Sequence, residues 1–483
     1  MIINFQGIAN LLGSVLIFLA VAMFIPTMYA FITVTKGSAE FLFVAAVMIV
    51  AGLLIRRLTR AKSLRMTLKD MFFFTSSVWT TMILTAALPF KFTMGIDYVT
   101  ACFEATSAVS TTGITVLHDI DNLPPSILLW RSILQYFGGI GFIAMAIAVL
   151  PNLNNLGGMK LFKTESSEQG SEKVSPKSKT IAMGILFLYI ALTILTFAAY
   201  WILGMSVFDA VNHAMTSVAT GGMSTHAASM DYFSEEIQWV AIIVMFICSL
   251  PFPLLILSLK NDIRQIFRDS QVRGFCGIIA LAALLVMGSL ILQENMPFSE
   301  ALRFSVFNVV DVLSSTGYSM GDFSSINPFI TLLFFVILPI GGCSGSTSGG
   351  LKIFRFQILL NLFRKQINQL QHPSAIFPQQ YNGQNINETV MRSIAAFFFA
   401  YACCLVLSSL ILCLTGTEML DALTLSFNCL SNIGVGIGEH FGPQGDFTVL
   451  TSFQKLILIF DMVMGRLEVL TIILCFLPSF WRV

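Results

Sequence analysis

Charge is what this sequence lacks most. Only 11% of its 483 residues are Asp, Glu, Lys or Arg, whereas a soluble chain carries about one quarter. Seven stretches without any charged residue are each about as long as the ~20 residues that a membrane-spanning helix needs: 71–90, 132–159, 180–208, 237–259, 274–293, 323–351 and 393–417. The composition therefore predicts an all-α, multi-pass membrane protein, because a membrane β-barrel would show short alternating segments instead.

Signals of other protein classes are also missing. The first 35 residues carry no charge, so the basic start of a signal peptide is absent and 7–33 is predicted to remain as a span. The nine cysteines show no C-x-x-C spacing, which favours buried thiols over a metal centre. A net charge of +1 gives no support to nucleic-acid binding. Without a P-loop or dinucleotide fingerprint, the chain is predicted to have no nucleotide site of its own.

Basic residues concentrate in alternate loops. Six Lys or Arg fall in 56–69, five in 160–179, and four each in 260–273 and 352–365. The loops between them carry acids: Asp119, Asp121, Asp231, Glu235, Glu236, Glu439 and Asp446. Cytoplasmic loops of membrane proteins are enriched in Lys and Arg. The pattern predicts a cytoplasmic N-terminus, an opening helical hairpin over 7–33 and 40–55, and a cytoplasmic Val483.

One pattern recurs four times along the chain: a full span, a segment too short to cross, and a second full span. The short segments read "DYVTACFEATSAVSTTGIT" (97–115), "DAVNHAMTSVATGGMST" (209–225), "EALRFSVFNVVDVLSSTGYS" (300–319) and "DALTLSFNCLSNIGVG" (421–436). Each opens with an acid, which suits the positive end of a helix: Asp97, Asp209, Glu300 and Asp421. Each ends in Ser, Thr or Asn before an aligned glycine: Gly113, Gly222, Gly317 and Gly434.

These short segments are predicted to be re-entrant half-helices, because about 12 helical residues cannot span ~30 Å of hydrocarbon. Their non-helical continuations cannot face lipid and must line a cavity. Glycine lets the backbone turn its carbonyls inward, and four such loops around one axis would replace the hydration shell of a monovalent cation. An ordinary glycine kink at a helix–helix contact would explain one such segment. It explains poorly why four segments carry a glycine at the same position.

With these segments the chain resembles the Trk/Ktr/HKT superfamily of potassium transporters, and most closely its bacterial Trk-type branch. The resemblance covers nearly the whole chain, and the additional N-terminal hairpin of that branch matches 7–55. It implies four M1–P–M2 repeats with fourfold pseudo-symmetry around a central pore. The corresponding division is an N-terminal hairpin with its basic loop (1–68), then repeats one to four: 69–159, 160–260, 261–385 and 386–483.

The resemblance implies K⁺ uptake through a filter of backbone carbonyls. Carried onto this sequence, those carbonyls fall on Thr111, Thr112, Thr220, Gly221, Ser315, Thr316, Asn432 and Ile433. A serine at the first glycine position accompanies sodium transport in plant relatives, so Gly113 favours potassium. Val435 stands where relatives often carry proline, which leaves the geometry of the fourth loop open. Each loop has one glycine turn instead of a TVGYG motif, which predicts fewer strong sites and looser selectivity.

The resemblance also implies partners and a location. The protein is expected to form a homodimer in the bacterial cytoplasmic (inner) membrane. It is also expected to bind a cytosolic ring of regulatory subunits of the TrkA type, and these subunits bind NAD or ATP. Two polar segments, 163–179 and 364–387, are predicted to be cytoplasmic. The second resembles the family's connection after repeat three, which lies near the regulatory ring. A solvated linker explains it equally well at this stage.

The segment "LPIGGCSGSTSGGLK" (338–352) interrupts the second span of repeat three. Proline and five glycines within it exclude a continuous helix: Gly341, Gly342, Gly345, Gly349 and Gly350 follow Pro339. Such backbone must again line a cavity. The resemblance implies an intramembrane loop beneath the filter, which obstructs the pore and moves aside on opening. A static helix break is the alternative.

Arg466 falls near the middle of the last span. A charge there costs ~2.5–3.5 kcal/mol on insertion, so it is expected to face the bundle interior. Two interpretations stay open. Arg466 could hydrogen-bond the carbonyls of the 341–350 loop, holding the gate closed and repelling cations, or it could form a structural pair with Asp461 or Glu468. Lys352 could contribute to the gate or reach water at the membrane surface.

Other classes of protein fit these features less well. The G-x-S-G pattern of intramembrane serine proteases occurs at 342–345, but its serine would need a histidine base. The five histidines all lie outside the full-length spans: His118, His213, His226, His372 and His440. A secondary symporter of an organic solute typically has two related halves, whereas this chain has four parallel repeats. A less selective K⁺/Na⁺ transporter is the remaining alternative, and no enzymatic activity is expected.

Overall fold

The computed structural model describes residues 3–59, 67–149, 176–260, 262–375, 377–438, 440–443 and 445–481. Within them, six helices are long and apolar enough to cross a membrane, and a bent pair of helices makes up to seven. The predicted multi-pass helical membrane protein is therefore confirmed. The central part of the first basic loop, most of 163–179, and Glu439 lie outside the described residues.

The chain opens with the predicted hairpin of α1 (Phe5–Ile32) and α2 (Ser38–Leu58). The two helices approach closely at Gly13 and Gly52, where a Cβ on either residue would lie within 2.8 Å of the other's carbonyl oxygen. Small residues allow such close approach in membranes. Helix α3 (Leu68–Met94) begins with a capping box between Thr67 and Asp70.

The rest of the chain alternates long and short helices. In order they are α4 (Tyr98–Val109), α5 (Pro125–Val149), α6 (Pro176–Ile202), α7 (Val207–Val218), α8 (Glu235–Cys248), α9 (Phe252–Lys260), α10 (Arg264–Arg268), α11 (Ser270–Glu294), α12 (Phe298–Ser314), α13 (Phe323–Ile326), α14 (Pro328–Ile337), α15 (Ile353–Gln371), α16 (Glu388–Leu414), α17 (Met419–Ser431), α18 (Ser452–Arg466), α19 (Val469–Phe476) and α20 (Pro478–Trp481). Short 3₁₀ turns lie at Ile120–Asn122, Ser229–Tyr232 and Phe447–Val449.

The four short segments form helices α4, α7, α12 and α17. Helices α4 and α7 have 12 residues each and α17 has 13. Helix α12 has 17 residues and is longer than the sequence predicted. At 1.5 Å per residue it measures about 26 Å, which is still short of the hydrocarbon thickness. The predicted acids open all four helices, with Asp97 capping α4 and the others in first turns.

The second spans of two of the predicted repeats differ from what the sequence predicted. Only the break over 338–352 was expected, yet the second spans of repeats two and four are broken as well. Helices α8 and α9 meet at 94° around Pro251, whose ring removes a helical N–H. Helices α18 and α19 are separated at Glu468, which has a φ of 62°. Arg466 therefore ends a helix instead of lying in the middle of one.

The polar segment 364–387 is more ordered than a solvated linker. Helix α15 continues to Gln371, and a β-hairpin follows with strands β1 (Gln380–Tyr381) and β2 (Gln384–Asn385) in antiparallel register. The Asn-Gly turn between them has positive φ at both residues, as a two-residue hairpin turn requires. Tyr381 and Ile386 pack in one apolar cluster with Phe354 of α15.

Candidate functional site

The loops that follow the four short helices contact one another in cyclic order. A Cβ atom built on three of the glycines would overlap or touch the backbone of the next loop, and on the fourth it would lie against the first loop. The contacts run from Gly113 to Gly221, from Gly222 to Thr316, from Gly317 to Gly434, and from Gly434 to the Thr112 carbonyl oxygen at 2.7 Å. The structure thus brings the four predicted glycines together in one closed ring.

Each loop also contains a non-glycine residue in the left-handed region. These residues stand two positions before the aligned glycine: Thr111 (φ 54°), Thr220 (49°), Ser315 (56°) and Asn432 (52°). Such conformations cost about 1–2 kcal/mol per residue and persist where the surrounding structure enforces them. Three of the glycines have positive φ as well: Gly113 (94°), Gly222 (72°) and Gly317 (86°). The sign of φ therefore alternates along the first three loops, from the left-handed residue to the glycine two positions later.

The fourth loop departs from the other three. Gly434 does not adopt positive φ. Its lack of a side chain is required by space instead, because a Cβ there would lie 2.7 Å from the Thr112 carbonyl oxygen and 3.1 Å from the Gly317 Cα. The geometry that the sequence left open at Val435 is thus different from that of the other loops.

A second set of residues supports the loops and was missed in the sequence. Nine residues before the aligned glycine, three of the short helices carry a buried polar side chain that bonds to the chain just beyond the glycine. The bonds are Glu104 with Val116 N at 3.2 Å, His213 Nε2 with Ser224 Oγ at 3.0 Å, and Asn308 Nδ2 with Met320 O at 3.0 Å. Leu425 occupies this position in the fourth helix. The sequence signal that could have revealed these residues is a polar residue nine positions before three of the four aligned glycines.

Helix α5, which follows the first loop, supports the second loop. The buried Gln135 side chain donates a hydrogen bond from Nε2 to the Gly221 carbonyl, and its Oε1 accepts one from Met223 N at 3.2 Å. A carbonyl oxygen has two lone pairs. The Gly221 oxygen, one of the eight predicted ligands, therefore keeps acceptor capacity for a cation after it has bonded Gln135.

The glycine-rich segment 341–350 lies directly against the third and fourth loops. Gly350 N donates to the Ser431 carbonyl at 2.7 Å, and Gly349 N donates to Ser315 Oγ. A Cβ on Gly349 would overlap the Ser431 carbonyl, so only glycine fits there. Within the segment, Gly341 and Gly350 approach each other so closely that neither could carry a side chain.

The other side of this segment is bonded to the break between α8 and α9. Cys343 N donates to the Ser249 carbonyl at 3.0 Å, and Phe252 N donates to the Gly345 carbonyl at 3.0 Å. Thr347 Oγ1 donates to the Cys248 carbonyl at 3.1 Å. The two helix breaks therefore satisfy each other's backbone groups, which unpaired would cost several kcal/mol each within a membrane.

Arg466 lies beside the same segment and is 1% exposed. Its guanidinium donates to the Thr347 carbonyl and to the Gly138 carbonyl of α5, both at 3.3 Å. The pairing partners considered for it are bonded to other residues: Asp461 accepts from Ser408 at 2.6 Å, and Glu468 pairs with Arg355 at 2.6 Å. Its place at the C-terminus of α18 also suits a cation.

Lys352 is buried, with 6% of its surface exposed. Its ammonium group donates to the Ser348 carbonyl inside the same segment, which favours the alternative that places Lys352 at the segment over the one in which it reaches water. A polar cavity borders the segment, and its wall contains three basic side chains and one acidic side chain: Lys352, Arg355, Arg466 and Glu468. The surroundings of the glycine-rich segment are therefore net positive.

Comparisons with known proteins agree over nearly the full length. The family model TrkH, described as a cation transport protein, matches residues 36–482. The Trk system potassium uptake protein TrkI of Halomonas elongata is 37% identical over 478 residues, which cover 98% of this chain and 96% of that protein. The Trk system potassium uptake protein TrkH of Escherichia coli is 31% identical over 99% of this chain and 100% of its own. The crystal structure of the potassium transporter TrkH from Vibrio parahaemolyticus matches with a TM-score of 0.92 at 29% identity, covering 99% of this chain and 100% of that one.

Proposed function

The chain belongs to the TrkH family of cation transport proteins, and we propose that it takes up K⁺ across the cytoplasmic membrane of a bacterium through a channel-like pore. Membership makes it a membrane transport protein and not an enzyme, as the sequence predicts. Potassium as the transported ion is supported by the names of relatives that are 37% and 31% identical over nearly the whole chain.

The pore is formed by four M1–P–M2 repeats, divided as the sequence predicts, around one axis. The cyclic contact of the four loops is the observation that carries this proposal. The filter consists of eight carbonyl oxygens, from Thr111, Thr112, Thr220, Gly221, Ser315, Thr316, Asn432 and Ile433. Carbonyl dipoles replace the hydration shell of the ion. The C-terminal ends of α4, α7, α12 and α17 add about −0.5 charge each toward it.

The glycine-rich segment 341–350 acts as the gate, and Arg466 holds it closed. The segment is hydrogen-bonded to Ser315 and Ser431, which belong to the third and fourth loops. An ion leaving the filter meets this segment and the net positive cavity behind it, which repels cations. Opening requires the segment to leave those bonds and the bond from Arg466 to Thr347.

The protein works as a homodimer, with both termini in the cytoplasm, and a cytosolic ring of nucleotide-binding regulatory subunits controls it. The nucleotide, NAD or ATP, binds the ring and not this chain. Basic loops on one side support the orientation. The names of TrkI and TrkH assign those two relatives to a Trk system, which supports a multi-component assembly. The ordered hairpin 380–385 offers the ring a defined surface near the gate.

The test is ⁸⁶Rb⁺ uptake into proteoliposomes that contain this chain alone, with K⁺ and Na⁺ as competitors. Gly113→Ser is measured beside it, because a Cβ at Gly113 would overlap the Gly221 carbonyl. Gly277→Ser is the matched control, since Gly277 lies in α11 with open space around it. The proposal is supported if K⁺ blocks ⁸⁶Rb⁺ uptake by the parent and Na⁺ does not, and if Na⁺ becomes a better competitor only in Gly113→Ser.

Two outcomes contradict it. Equal competition by Na⁺ in the parent protein would favour the less selective K⁺/Na⁺ transporter. Uptake no faster than in protein-free vesicles has two explanations, a missing regulatory ring or a wrong substrate class. The variant Arg466→Ala separates them, because a released gate no longer needs the ring. If that variant also fails to take up ⁸⁶Rb⁺, the substrate class is wrong.

A further inference from the structure

Glu104 of α4 and Arg131 of α5 form an ion pair in the interior of the protein. Arg131 Nε lies 2.8 Å from Glu104 Oε1, and the two side chains are 2% and 0% exposed. Among the ion pairs of the described residues, this one is the most deeply buried on both sides. Burying two charges is costly unless further hydrogen bonds satisfy them, so those further bonds are informative.

The carboxylate of Glu104 holds the first loop. Thr115 Oγ1 donates to both of its oxygens, at 3.0 and 3.1 Å, and Val116 N donates to Oε2 at 3.2 Å. Thr115 and Val116 stand two and three residues after Gly113. The ionised side chain therefore fixes the path of the chain immediately beyond the predicted filter residues Thr111 and Thr112.

The guanidinium of Arg131 reaches the second loop. Its Nη1 donates to the Ser224 carbonyl at 3.4 Å, and Ser224 Oγ is hydrogen-bonded to His213 at 3.0 Å. One helical turn further along α5, on the same face, Gln135 bonds the Gly221 carbonyl. One face of α5 thus holds the second loop at both ends of its glycine turn.

We propose that the Glu104–Arg131 ion pair is a specificity-determining clamp, which fixes the spacing of the first and second loops and so sets the preference for K⁺ over Na⁺. This inference rests on the proposed function. Neither residue touches the ion, so both are positioning residues. Discrimination between the two ions depends on the size and stiffness of the carbonyl cage. A loop free to shift inward would close around the smaller Na⁺.

The third and fourth loops are held by other groups. The buried carboxyl group of Asp311 accepts a hydrogen bond from Tyr318 N at 2.8 Å, just after Gly317. At the position of Glu104, the third loop is held by the neutral amide of Asn308, and the fourth short helix has Leu425 there. Hydrogen bonds that involve charged groups are shorter and stronger than neutral ones. Loops one and two are therefore the two loops that a buried ion pair joins, and selectivity is expected to be most sensitive to this clamp.

The test compares parent and variant proteoliposomes by the Na⁺ concentration that halves ⁸⁶Rb⁺ uptake. Removing one charge alone leaves the other buried and unpaired, which is strongly destabilising. The principal variant is therefore the double change Glu104→Gln with Arg131→Met, which leaves no unpaired charge. We expect that concentration to fall by about tenfold, equivalent to ~1.4 kcal/mol, while uptake without Na⁺ stays within about threefold of the parent.

Two further variants sharpen the comparison. Arg131→Lys keeps the charge opposite Glu104 but lacks the second arm that reaches Ser224, so its selectivity is expected to lie between parent and double variant. Glu388→Gln removes a partner of Lys365 in an exposed ion pair, where Glu388 is 64% exposed. Such a pair contributes little, so this matched control is expected to behave as the parent does.

The inference is overturned if the double variant, present in the membrane at the parent's level, keeps the parent's ratio of K⁺ to Na⁺ competition within about twofold. An equal loss of uptake for both ions would also overturn it, since that result indicates a purely structural pair. The parent is measured first. If K⁺ does not block uptake by the parent, the proposed function fails, and the inference fails with it.

Discussion

The side-chain amide of Asn432 donates a hydrogen bond to Thr112 Oγ1 at 3.1 Å, between residues 320 positions apart in the chain. The same amide nitrogen donates to the Met462 carbonyl of α18 at 2.9 Å. Thr112 belongs to the first loop and Asn432 to the fourth, so this bond joins the two ends of the ring. It therefore connects the loop that Glu104 holds to the loop whose short helix has Leu425 at the corresponding position.

The bond between Thr112 and Asn432 is expected to contribute to ion discrimination. Thr112→Val removes the acceptor, and Asn432→Gly removes the donor while keeping the φ of 52° accessible. Each single variant is expected to make Na⁺ a better competitor of ⁸⁶Rb⁺ uptake. The double variant should be no worse than Asn432→Gly alone, because the two changes remove one shared bond and residues in contact couple by ~0.5–3 kcal/mol. Independent, multiplying effects of the two changes would contradict this.

Gly434 is expected to tolerate no side chain. In Gly434→Ala the new methyl group would lie 2.7 Å from the Thr112 carbonyl oxygen and 3.1 Å from the Gly317 Cα. Forcing extra volume into a packed site costs about 1–3 kcal/mol, so ⁸⁶Rb⁺ uptake should fall by about tenfold at equal protein in the membrane. Gly277→Ala, which meets open space, is the control and should match the parent. Normal uptake by Gly434→Ala would remove the fourth loop from the pathway.

Arg466→Ala is expected to raise uptake in the absence of any regulatory subunit. The change removes the bonds to the Thr347 and Gly138 carbonyls and one positive charge beside the 341–350 segment. Hydrogen bonds from a charged group contribute ~1.5–3 kcal/mol, so basal ⁸⁶Rb⁺ flux should rise by about tenfold or more. Arg392→Ala is the control, because Arg392 is 83% exposed on α16. Unchanged or lower flux, with normal protein in the membrane, would exclude Arg466 from gating.

Much of this arrangement could be predicted from local sequence alone. In each short segment an acid, about a dozen mostly apolar residues, and a Ser, Thr or Asn before a glycine follow one another in the chain. The half-helices and their four glycines could therefore be located. Because a charge exposed to lipid is costly, the sequence also predicted that Arg466 faces the interior of the helix bundle. The Asn-Gly turn of the hairpin was also a readable signal, although its strands are only two residues each.

What the sequence could not supply were partners distant in the chain. The helix break at Pro251 is stabilised because Cys343 and Gly345 of the glycine-rich segment form hydrogen bonds with its backbone groups. No local sequence pattern predicts partners so distant in the chain. The pairing of Glu104 with Arg131 has the same character, since a single sequence does not tell which buried acid meets which buried base. Left-handed threonines are unfavourable in isolation, and only the closed ring enforces them.

A chain of hydrogen bonds connects the β-hairpin to the glycine-rich segment. Asn382, in the hairpin turn, donates to Asp269 at 2.8 Å and accepts from Ser270 N at 2.8 Å. Gln271 is the next residue of α11, and its Oε1 accepts from Ser344 N of the segment at 2.9 Å. A partner that displaces the hairpin would therefore pull on the start of α11, and through Gln271 on the segment.

Gln271→Leu is expected to weaken the closed state by a smaller amount than Arg466→Ala does. It removes one neutral acceptor, and such a bond contributes ~0.5–1.5 kcal/mol, so basal ⁸⁶Rb⁺ uptake should rise by about two- to tenfold. Gln366→Leu is the control, because Gln366 is exposed on α15. Asn382→Ala, one step further from the segment, should act in the same direction with a smaller effect. If Gln271→Leu leaves basal uptake at the parent's value while Arg466→Ala raises it, the bond from Gln271 does not hold the segment closed, and the hairpin does not act on the segment through α11.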